Sequence, residues 1–253
     1  MNIVTVNEEN VSEKGFFCYM SKKKTPGYQR KLRWLKERFD EGMQIKMLDL
    51  AQGGRGFVEY IPGGFAWRAV SAKGYMFIHC IWIAGKSRGK GYGSLFLNEC
   101  IKDARKSGMK GVAMITSEKN WLVEKKFLMK HGFESVAQYP PFELMVKKFT
   151  EAPPPSFTGD FEQKLKNCGS GLTIIRSDQC PYIDAAVNAA LEAAKELGIK
   201  TQTIELKNSE DVRKISPSPY GVFQIVYNRK LLTYHSLAKK DLTERLRTST
   251  PPQ

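Results

Sequence analysis

The sequence predicts an α/β (α+β) protein of two domains: a mixed sheet flanked by helices, then a smaller βαβ-ββα domain. Three observations predict it. Residues 1–150 read as an antiparallel opening that passes into strand–helix–strand–helix–strand order, which requires a mixed sheet with helices packed on it. Residues 160–253 read as βαβ followed by ββα. Between them lies Glu151 to Gly159, EAPPPSFTG. Its three successive prolines can neither continue a helix nor sit in a central strand, and they favour an extended spacer. A length of 253 residues suits two modest domains. With 42% apolar and 26% charged residues the chain can fill packed cores, which excludes wholesale disorder. Nothing approaches 18 consecutive apolar residues, so no membrane span is expected. The N-terminus MNIVTVNEEN lacks a basic stretch followed by an apolar one, so no secretory signal is expected either. A soluble, cytoplasmic protein is the expectation.

The elements follow in order. Asn2–Val6 is a short apolar strand. Tyr28–Phe39 (YQRKLRWLKERF) is a basic helix with Leu32, Leu35 and Phe39 on one stripe. Strands are expected at Gln44–Leu50, Gly56–Ile61, Ala66–Val70 and Tyr75–Ala84. A glycine-rich turn then leads into a helix at Gly91–Lys106, followed by strand Gly111–Thr116, helix Asn120–His131, and strands Ser135–Gln138 and Phe142–Phe149. In the second domain, strand Leu172–Ile175 precedes helix Pro181–Leu197, with Ile183, Val187, Leu191, Ala194 and Leu197 on one face. Strand Thr201–Leu206 and a short helix capped by Ser209 come next. A hairpin, Val222–Tyr227 and Lys230–Tyr234 around Asn228-Arg229, leads to a last helix at Ala238–Arg247. That order is the outline of a thioredoxin-like domain.

The charge is uneven. Residues 1–150 hold 26 Lys+Arg against 14 Asp+Glu, a net +12, and the remainder contributes only +2. An anionic partner such as a nucleotide, a phosphate or a nucleic acid fits that excess. The five cysteines (Cys18, Cys80, Cys100, Cys168, Cys180) are scattered, with no CxxC pair. Neither a zinc site nor a disulfide framework is indicated, and a reducing compartment fits. No metal is expected.

The strongest chemical signal runs from Ile81 to Ser94, IWIAGKSRGKGYGS. An apolar strand ends, a turn of glycines and cations follows, and an amphipathic helix starts at once. Glycines let the backbone approach a ligand without a Cβ in the way. The first-turn amides of the helix then face an anion such as a pyrophosphate. Gly89, Gly91 and Gly93 alternate, so neither the dinucleotide fingerprint nor the P-loop spacing is met. What remains is R-x-x-G-x-G, Arg88-Gly89-Lys90-Gly91-Tyr92-Gly93. It resembles the acyl-CoA pyrophosphate loop of the GNAT family of N-acetyltransferases.

Neighbouring residues extend the resemblance. Ile81-Trp82-Ile83 stands where the family has a strand reading L-Y-V, which implies that these residues splay from the next strand and hydrogen-bond the pantetheine arm. Gly111–Thr116 matches the following strand. Glu124 to Phe133 (EKKFLMKHGF) resembles the family's Y-E-K-x-G-F helix end. The resemblance implies acetyl-CoA as cosubstrate, held by Ile81, Trp82, Ile83 and Arg88, Gly89, Lys90, Gly91, Tyr92, Gly93, Ser94. One departure is chemical. The family's usual tyrosine, which can protonate the departing thiolate, falls at Leu128. Another donor, solvent protonation, or CoA binding without efficient turnover are the alternatives, and Tyr92 is the candidate donor in the loop.

Acetyl transfer to an amine needs a base near neutral pH. His79, on the strand before the loop, and Glu59 are the candidates; structural roles in the strands are the alternative for both. Tyr60 to Arg68, with Tyr60, Trp67 and Arg68, suits a recognition loop, and core packing explains the aromatics equally well. The segment through His79-Cys80 also resembles acetyltransferases that carry a C-terminal YoaP-like domain. In the second domain, Cys180-Pro181-Tyr182 opens a helix, where the dipole favours a thiolate. It resembles a glutaredoxin C-P-Y-C motif whose second cysteine is replaced by Ile183. Pro219 stands where thioredoxin-like folds place a cis proline.

The expected function is therefore an acetyl-CoA-dependent N-acetyltransferase acting by direct attack on an amine of a small molecule or peptide. The second domain, with Cys180, is expected to contribute to the substrate pocket. The rival is a CoA-binding thiol-redox or thiol-conjugate-binding protein that uses Cys180. Lys22–Lys24 and the basic helix offer phosphate contacts, but no RNP, KH or helix-turn-helix signature accompanies them, and nucleic acid ranks low as a partner.

Overall fold

The computed structural model describes residues 2–117 and 122–249. The chain forms two compact units. The first comprises Met1–Lys23, Leu32–Ala66 and Val70–Phe157; the second comprises Lys24–Lys31, Trp67–Ala69 and Thr158–Gln253.

Elements of the first part, in chain order, are β1 (Ile3–Val6), α1 (Val11–Lys14), α2 (Pro26–Asp40), β2 (Gln44–Leu48), β3 (Gly56–Pro62), β4 (Val70–Ser71), β5 (Met76–Ile83), α3 (Tyr92–Lys106), β6 (Gly111–Ser117), α4 (Lys125–Lys130), β7 (Glu134–Tyr139), β8 (Phe142–Lys148) and β9 (Ser156–Phe157). Seven strands make one mixed sheet in the order β1-β2-β3-β5-β6-β8-β7. Every pairing is antiparallel except β5 with β6. A parallel pair needs a crossover, and α3 supplies it. Leu128 of α4 and Phe96, Leu97, Cys100 and Ala104 of α3 pack on Val58, Tyr60, Ile78, Ile81 and Met114 of the sheet to form the core.

Three expectations change here. The buried stripe of α2 is Tyr28, Lys31, Trp34, Leu35 and Arg38, whereas Leu32 and Phe39 are only half-buried. Arg38 is tolerated inside because its guanidinium lies 5.7 Å over the Trp34 ring and pairs with Glu41 at 2.9 Å. The strand expected at Ala66–Val70 shrinks to β4, preceded by a 3₁₀ turn at Gly63–Phe65. A side chain at Gly63 would meet the Ala72 carbonyl oxygen at 2.2 Å, so only glycine lets the chain fold back there. The proline spacer is not free: β9 pairs with β4, and the Tyr75 hydroxyl donates to the Pro153 carbonyl at 2.9 Å. Of the helix expected at Asn120–His131, Asn120 lies outside the described residues, and the helix observed is Lys125–Lys130.

The remaining elements are α5 (Phe161–Asn167), β10 (Leu172–Arg176), α6 (Ile183–Glu196), β11 (Thr201–Glu205), α7 (Ser209–Ile215), β12 (Phe223–Tyr227), β13 (Lys230–Thr233) and α8 (Lys239–Ser249). Their sheet has the order β11-β10-β12-β13, with β10 and β11 parallel and the other pairs antiparallel. Asn228 and Arg229 both have positive φ, 47° and 66°, as a tight two-residue hairpin demands. Leu172, Ile174, Phe223 and Ile225 pack against Ala190, Ala193 and Ala194 of α6 and Leu242 and Leu246 of α8. Ile183, Val187 and Ala194 of the expected face lie in this core with Leu197 packed against it, whereas Leu191 is 39% exposed and Ala186, Ala190 and Ala193 complete the stripe. The cap of α7 is Asn208 rather than Ser209: its Oδ1 accepts from the Asp211 amide at 2.8 Å.

Candidate active site

The parallel pairing of β5 with β6 runs from Met76↔Val112 to Ile78↔Met114 and goes no further. Beyond it β6 continues to Ser117 paired only with β8, while β5 continues to Ile83 paired with β3. Ile81, Trp82 and Ile83 therefore lie on the parted stretch of β5, as expected. A side chain at Gly56 would meet Ile83 at 2.7 Å, so this glycine lets β3 hug the strand end.

The loop after β5 is held from beneath. The Ala84 amide donates to the Arg55 carbonyl at 2.9 Å, and the Arg55 amide donates to the Oγ of buried Ser87 at 3.0 Å. Arg88 donates from Nε to the Ile83 carbonyl at 3.2 Å, and its guanidinium lies 5.9 Å over the Trp82 ring. Gly89 and Gly91 have φ of 73° and 78°, and a side chain at either would meet nothing within 4 Å. The space over the loop is open, and Arg88 and Lys90 are exposed beside it. Gly91 begins α3 with no side-chain cap, and the first turn carries no acidic residue. The first helical bond joins the Leu95 amide to the Gly91 carbonyl at 3.0 Å, so the amides of Tyr92, Gly93 and Ser94 have no acceptor within the helix. Uncapped amides, a positive dipole end and two cations suit an anion. Gly93 faces the Phe127 ring of α4, 3.4 Å from where a Cβ would sit.

Glu59 and His79 are brought together. Pairing of β3 with β5 shifts register there: Glu59 faces Cys80 while Tyr60 faces Ile78, which leaves His79 as the extra residue of a β-bulge. Bulges re-aim side chains, and here the His79 Nδ1 lies 3.3 Å from Glu59 Oε1. Both residues are buried, at 2% and 3% exposure. The Trp34 and Phe77 rings lie 6.4 and 6.2 Å from the imidazole.

Two residues beside β3 were not singled out from the sequence. Phe17 and Tyr19 both have left-handed backbones, φ 75° and 57°. Such strain costs about 1–3 kcal/mol per residue and gathers at functional sites. Phe17 stacks on Phe57 of β3 at 5.1 Å, with the planes 26° apart. No local pattern announces it, because a left-handed phenylalanine runs against its own propensity.

The other candidates fall elsewhere. Tyr60 is fully buried, and its hydroxyl donates to Asp103 at 2.5 Å. Tyr92 is half-buried with its ring against the core, and Leu128 is buried completely. Trp67, Arg68, Pro219 and Cys180 belong to the second unit. There Arg68 donates to the Trp67 carbonyl at 2.7 Å and to Gln179 at 2.6 Å. The Pro219 carbonyl accepts from the Ala69 amide at 3.2 Å. The cis bond among the described residues is Pro140–Pro141, so Pro219 does not have the cis geometry expected of it. Cys180 lies three residues before α6, which starts at Ile183 rather than at Pro181, and is half-buried against the apolar core. Ile183 is part of that core. Among the described residues no group of three His, Cys, Asp or Glu side chains could hold a metal ion, and no helix is long and apolar enough to cross a membrane.

The mixed sheet parts around a β5–loop–α3 turn suited to an anion, and comparison with known proteins points to N-acetyltransferases. Residues 14–133 match the family model described as "Acetyltransferase (GNAT) family". Over 98% of its length it is 28% identical to "Uncharacterized N-acetyltransferase YoaP" of Bacillus subtilis (strain 168), of which the match covers 99%. Similar solved structures include a ribosomal-protein-alanine N-acetyltransferase from Brucella melitensis, with 16% identity, 59% of this chain, all of that chain and TM-score 0.42. Another is the aminoglycoside 6'-N-acetyltransferase from Enterococcus faecium, with 15% identity, 60% of this chain, 99% of that chain and TM-score 0.42. Acetyl-CoA-dependent N-acetyl transfer is the family's activity, and none of these relatives supports the thiol-redox alternative.

Proposed function

We propose that the chain moves the acetyl group of acetyl-CoA to an amine of a small molecule or peptide by direct attack, using the β5–α3 site and the Glu59–His79 pair. The observation that carries the reading is the open, uncapped loop between Arg88 and Ser94 at the point where β5 leaves β6. The pyrophosphate would rest on the amides of Gly89 to Ser94, with Arg88 and Lys90 adding charge, and the pantetheine arm would run along Ile81 to Ile83. Acetyl-CoA supplies an activated thioester; the rest is positioning and proton transfer by the protein.

The acceptor nitrogen attacks the thioester carbonyl, the C–S bond breaks, and the amine proton must leave. Glu59 and His79 form the natural base: the carboxylate fixes the imidazole, and the buried pair takes the proton directly or through one water. Neither Leu128 nor the core-packed Tyr92 serves the departing thiolate. A thiol of ordinary pKa about 8.5 recovers its proton from water near neutrality, so no dedicated donor is required.

Residues 1–150 are read as the acetyltransferase domain, 151–159 as the spacer and 160–253 as a thioredoxin-like domain. The β11-β10-β12-β13 order supports that last reading. Ile183 at the second cysteine position argues against dithiol chemistry in this domain. Five free cysteines fit a cytoplasmic setting. Calorimetry with acetyl-CoA tests the central claim. Binding is expected for the unaltered chain and is expected to be lost in Gly91→Glu, where a carboxylate would occupy the anion site. No binding, or binding indifferent to that change, overturns it.

A further inference from the structure

We infer that the acetyl acceptor is a primary amine carried on a flat aromatic body, seated between Phe17 and Trp82 with its nitrogen toward Glu59. This rests on the acetyl-transfer reading and narrows it to a substrate class.

Consider the sheet face away from α3. Val58, Tyr60, Ile78 and Ile81 point into the core under α3, so the alternate residues of β3 and β5 face the other way. Cross-strand pairing sets Phe57 opposite Trp82 and, two pairs further on, Glu59 opposite Cys80 with His79 bulged beside it. Phe17 lies on Phe57 from above, stacked at 5.1 Å. One strip thus carries aromatic rings at one end and a carboxylate–imidazole pair at the other. Phe57, Glu59 and His79 are buried, whereas Phe17, Tyr19, Cys80 and Trp82 are partly exposed. The strip therefore meets solvent at Phe17, Trp82 and Cys80, and the Glu59 carboxylate itself is buried. Trp82 also lies on the parted stretch of β5 where the thioester arm is read to run, so an amine at Glu59 is close to the strand that presents the acetyl group.

The chemistry of the strip selects the ligand. Ring faces favour a planar apolar body in offset stacking. The buried carboxylate receives an ammonium and then its proton. The two cross-strand pairs lie two residues apart, about 6.8 Å along the strand, which matches a ring centre joined to nitrogen by a two- or three-carbon arm. A sugar-like amine would bring many hydroxyls to a strip of mainly apolar ring faces, where burying polar groups without partners costs free energy. A polyamine would bring extra positive charge toward Arg88, which lies over Trp82, within a domain of net charge +12.

The test uses the full chain with acetyl-CoA and three acceptors: 2-phenylethylamine, spermidine and kanamycin. The expected kcat/KM is at least tenfold higher for phenylethylamine than for the other two. Phe17→Leu keeps the apolar volume without the ring. It is expected to raise KM for phenylethylamine several-fold while leaving acetyl-CoA binding, measured separately by calorimetry, unchanged. Phe57→Leu, in the ring that Phe17 stacks on, is expected to weaken the same acceptor in the same way, which guards against a fold defect confined to the Phe17 segment. Preference for spermidine or kanamycin in a chain that binds acetyl-CoA overturns the aromatic class and leaves acetyl transfer standing. Unaltered KM in Phe17→Leu overturns it as well. Absence of acetyl-CoA binding removes the acetyl-transfer reading and this inference with it.

Discussion

Tyr60 shows how a residue chosen for recognition by its sequence neighbourhood can be a structural anchor. Its ring lies in the core and its hydroxyl donates to Asp103, whose carboxylate also meets the Lys46 ammonium at 2.9 Å; Lys46 reaches Glu99 at 2.8 Å. Burial alone would raise the Asp103 pKa, but the Tyr60 hydroxyl and the Lys46 charge outweigh it and hold the carboxyl below its usual range. A carboxyl depressed in the folded state adds stability that is complete above its unfolded pKa, about 3.9, and is lost as pH falls through the folded value. Asp103→Asn is therefore expected to destabilise the chain by about 1.5–3 kcal/mol at neutral pH, the range for hydrogen bonds to a charged group. Its urea-denaturation stability should also fall less steeply than that of the unaltered chain below about pH 4. Equal acid slopes in the two proteins would show that the cluster adds nothing through ionisation.

Among the elements, those with local chemical cause were legible. The Arg88–Ser94 loop was readable because glycines, cations and a helix start are adjacent in the chain, and the Asn228-Arg229 hairpin because its turn type demands left-handed residues. Elements decided by distant partners were not. The α2 stripe was misplaced because periodicity cannot foresee that Arg38 is neutralised by Glu41 and covered by Trp34. Helix α5 was missed although Asp160 caps it, its Oδ1 accepting from the Gln163 amide at 3.0 Å. At seven residues it is too short for a periodic signal. The bulge that unites Glu59 with His79 is a register event between strands and leaves no trace in either strand alone. The α7 cap gives a direct test. Asn208→Ala is expected to cost about 1 kcal/mol, whereas Ser209→Ala, already inside the helix, should be close to neutral. A reversed order in thermal or urea unfolding would return the cap to Ser209.

For the whole molecule, the proline spacer marks the boundary in the sequence, yet the second unit is not the C-terminal part alone. It takes in Lys24–Lys31 and Trp67–Ala69. Within it Arg30 pairs with Asp178 at 2.8 Å and with Glu205 at 2.5 Å. The Thr158 amide donates to the Ala69 carbonyl at 2.9 Å. Gly27, in the first turn of α2, is pressed against the turn that carries Cys180: a Cβ there would lie 2.2 Å from the Pro181 carbonyl oxygen. An amphipathic reading of α2 would treat Gly27→Ala as a gain, since alanine is favoured over glycine in a helix by about 1 kcal/mol. The contact reverses the sign. Backbone meets the new methyl, so neither side can yield by a rotamer change, and overpacking of this kind costs about 1–3 kcal/mol. The expected outcome of Gly27→Ala is a lower unfolding midpoint in urea. Gly64→Ala is the comparison: nothing lies within 4 Å of its Cβ position and its φ is not positive, so it should leave the midpoint unchanged. If Gly27→Ala instead stabilises the chain, the start of α2 is not seated on the Pro181 turn, and the second unit reduces to the residues after the spacer.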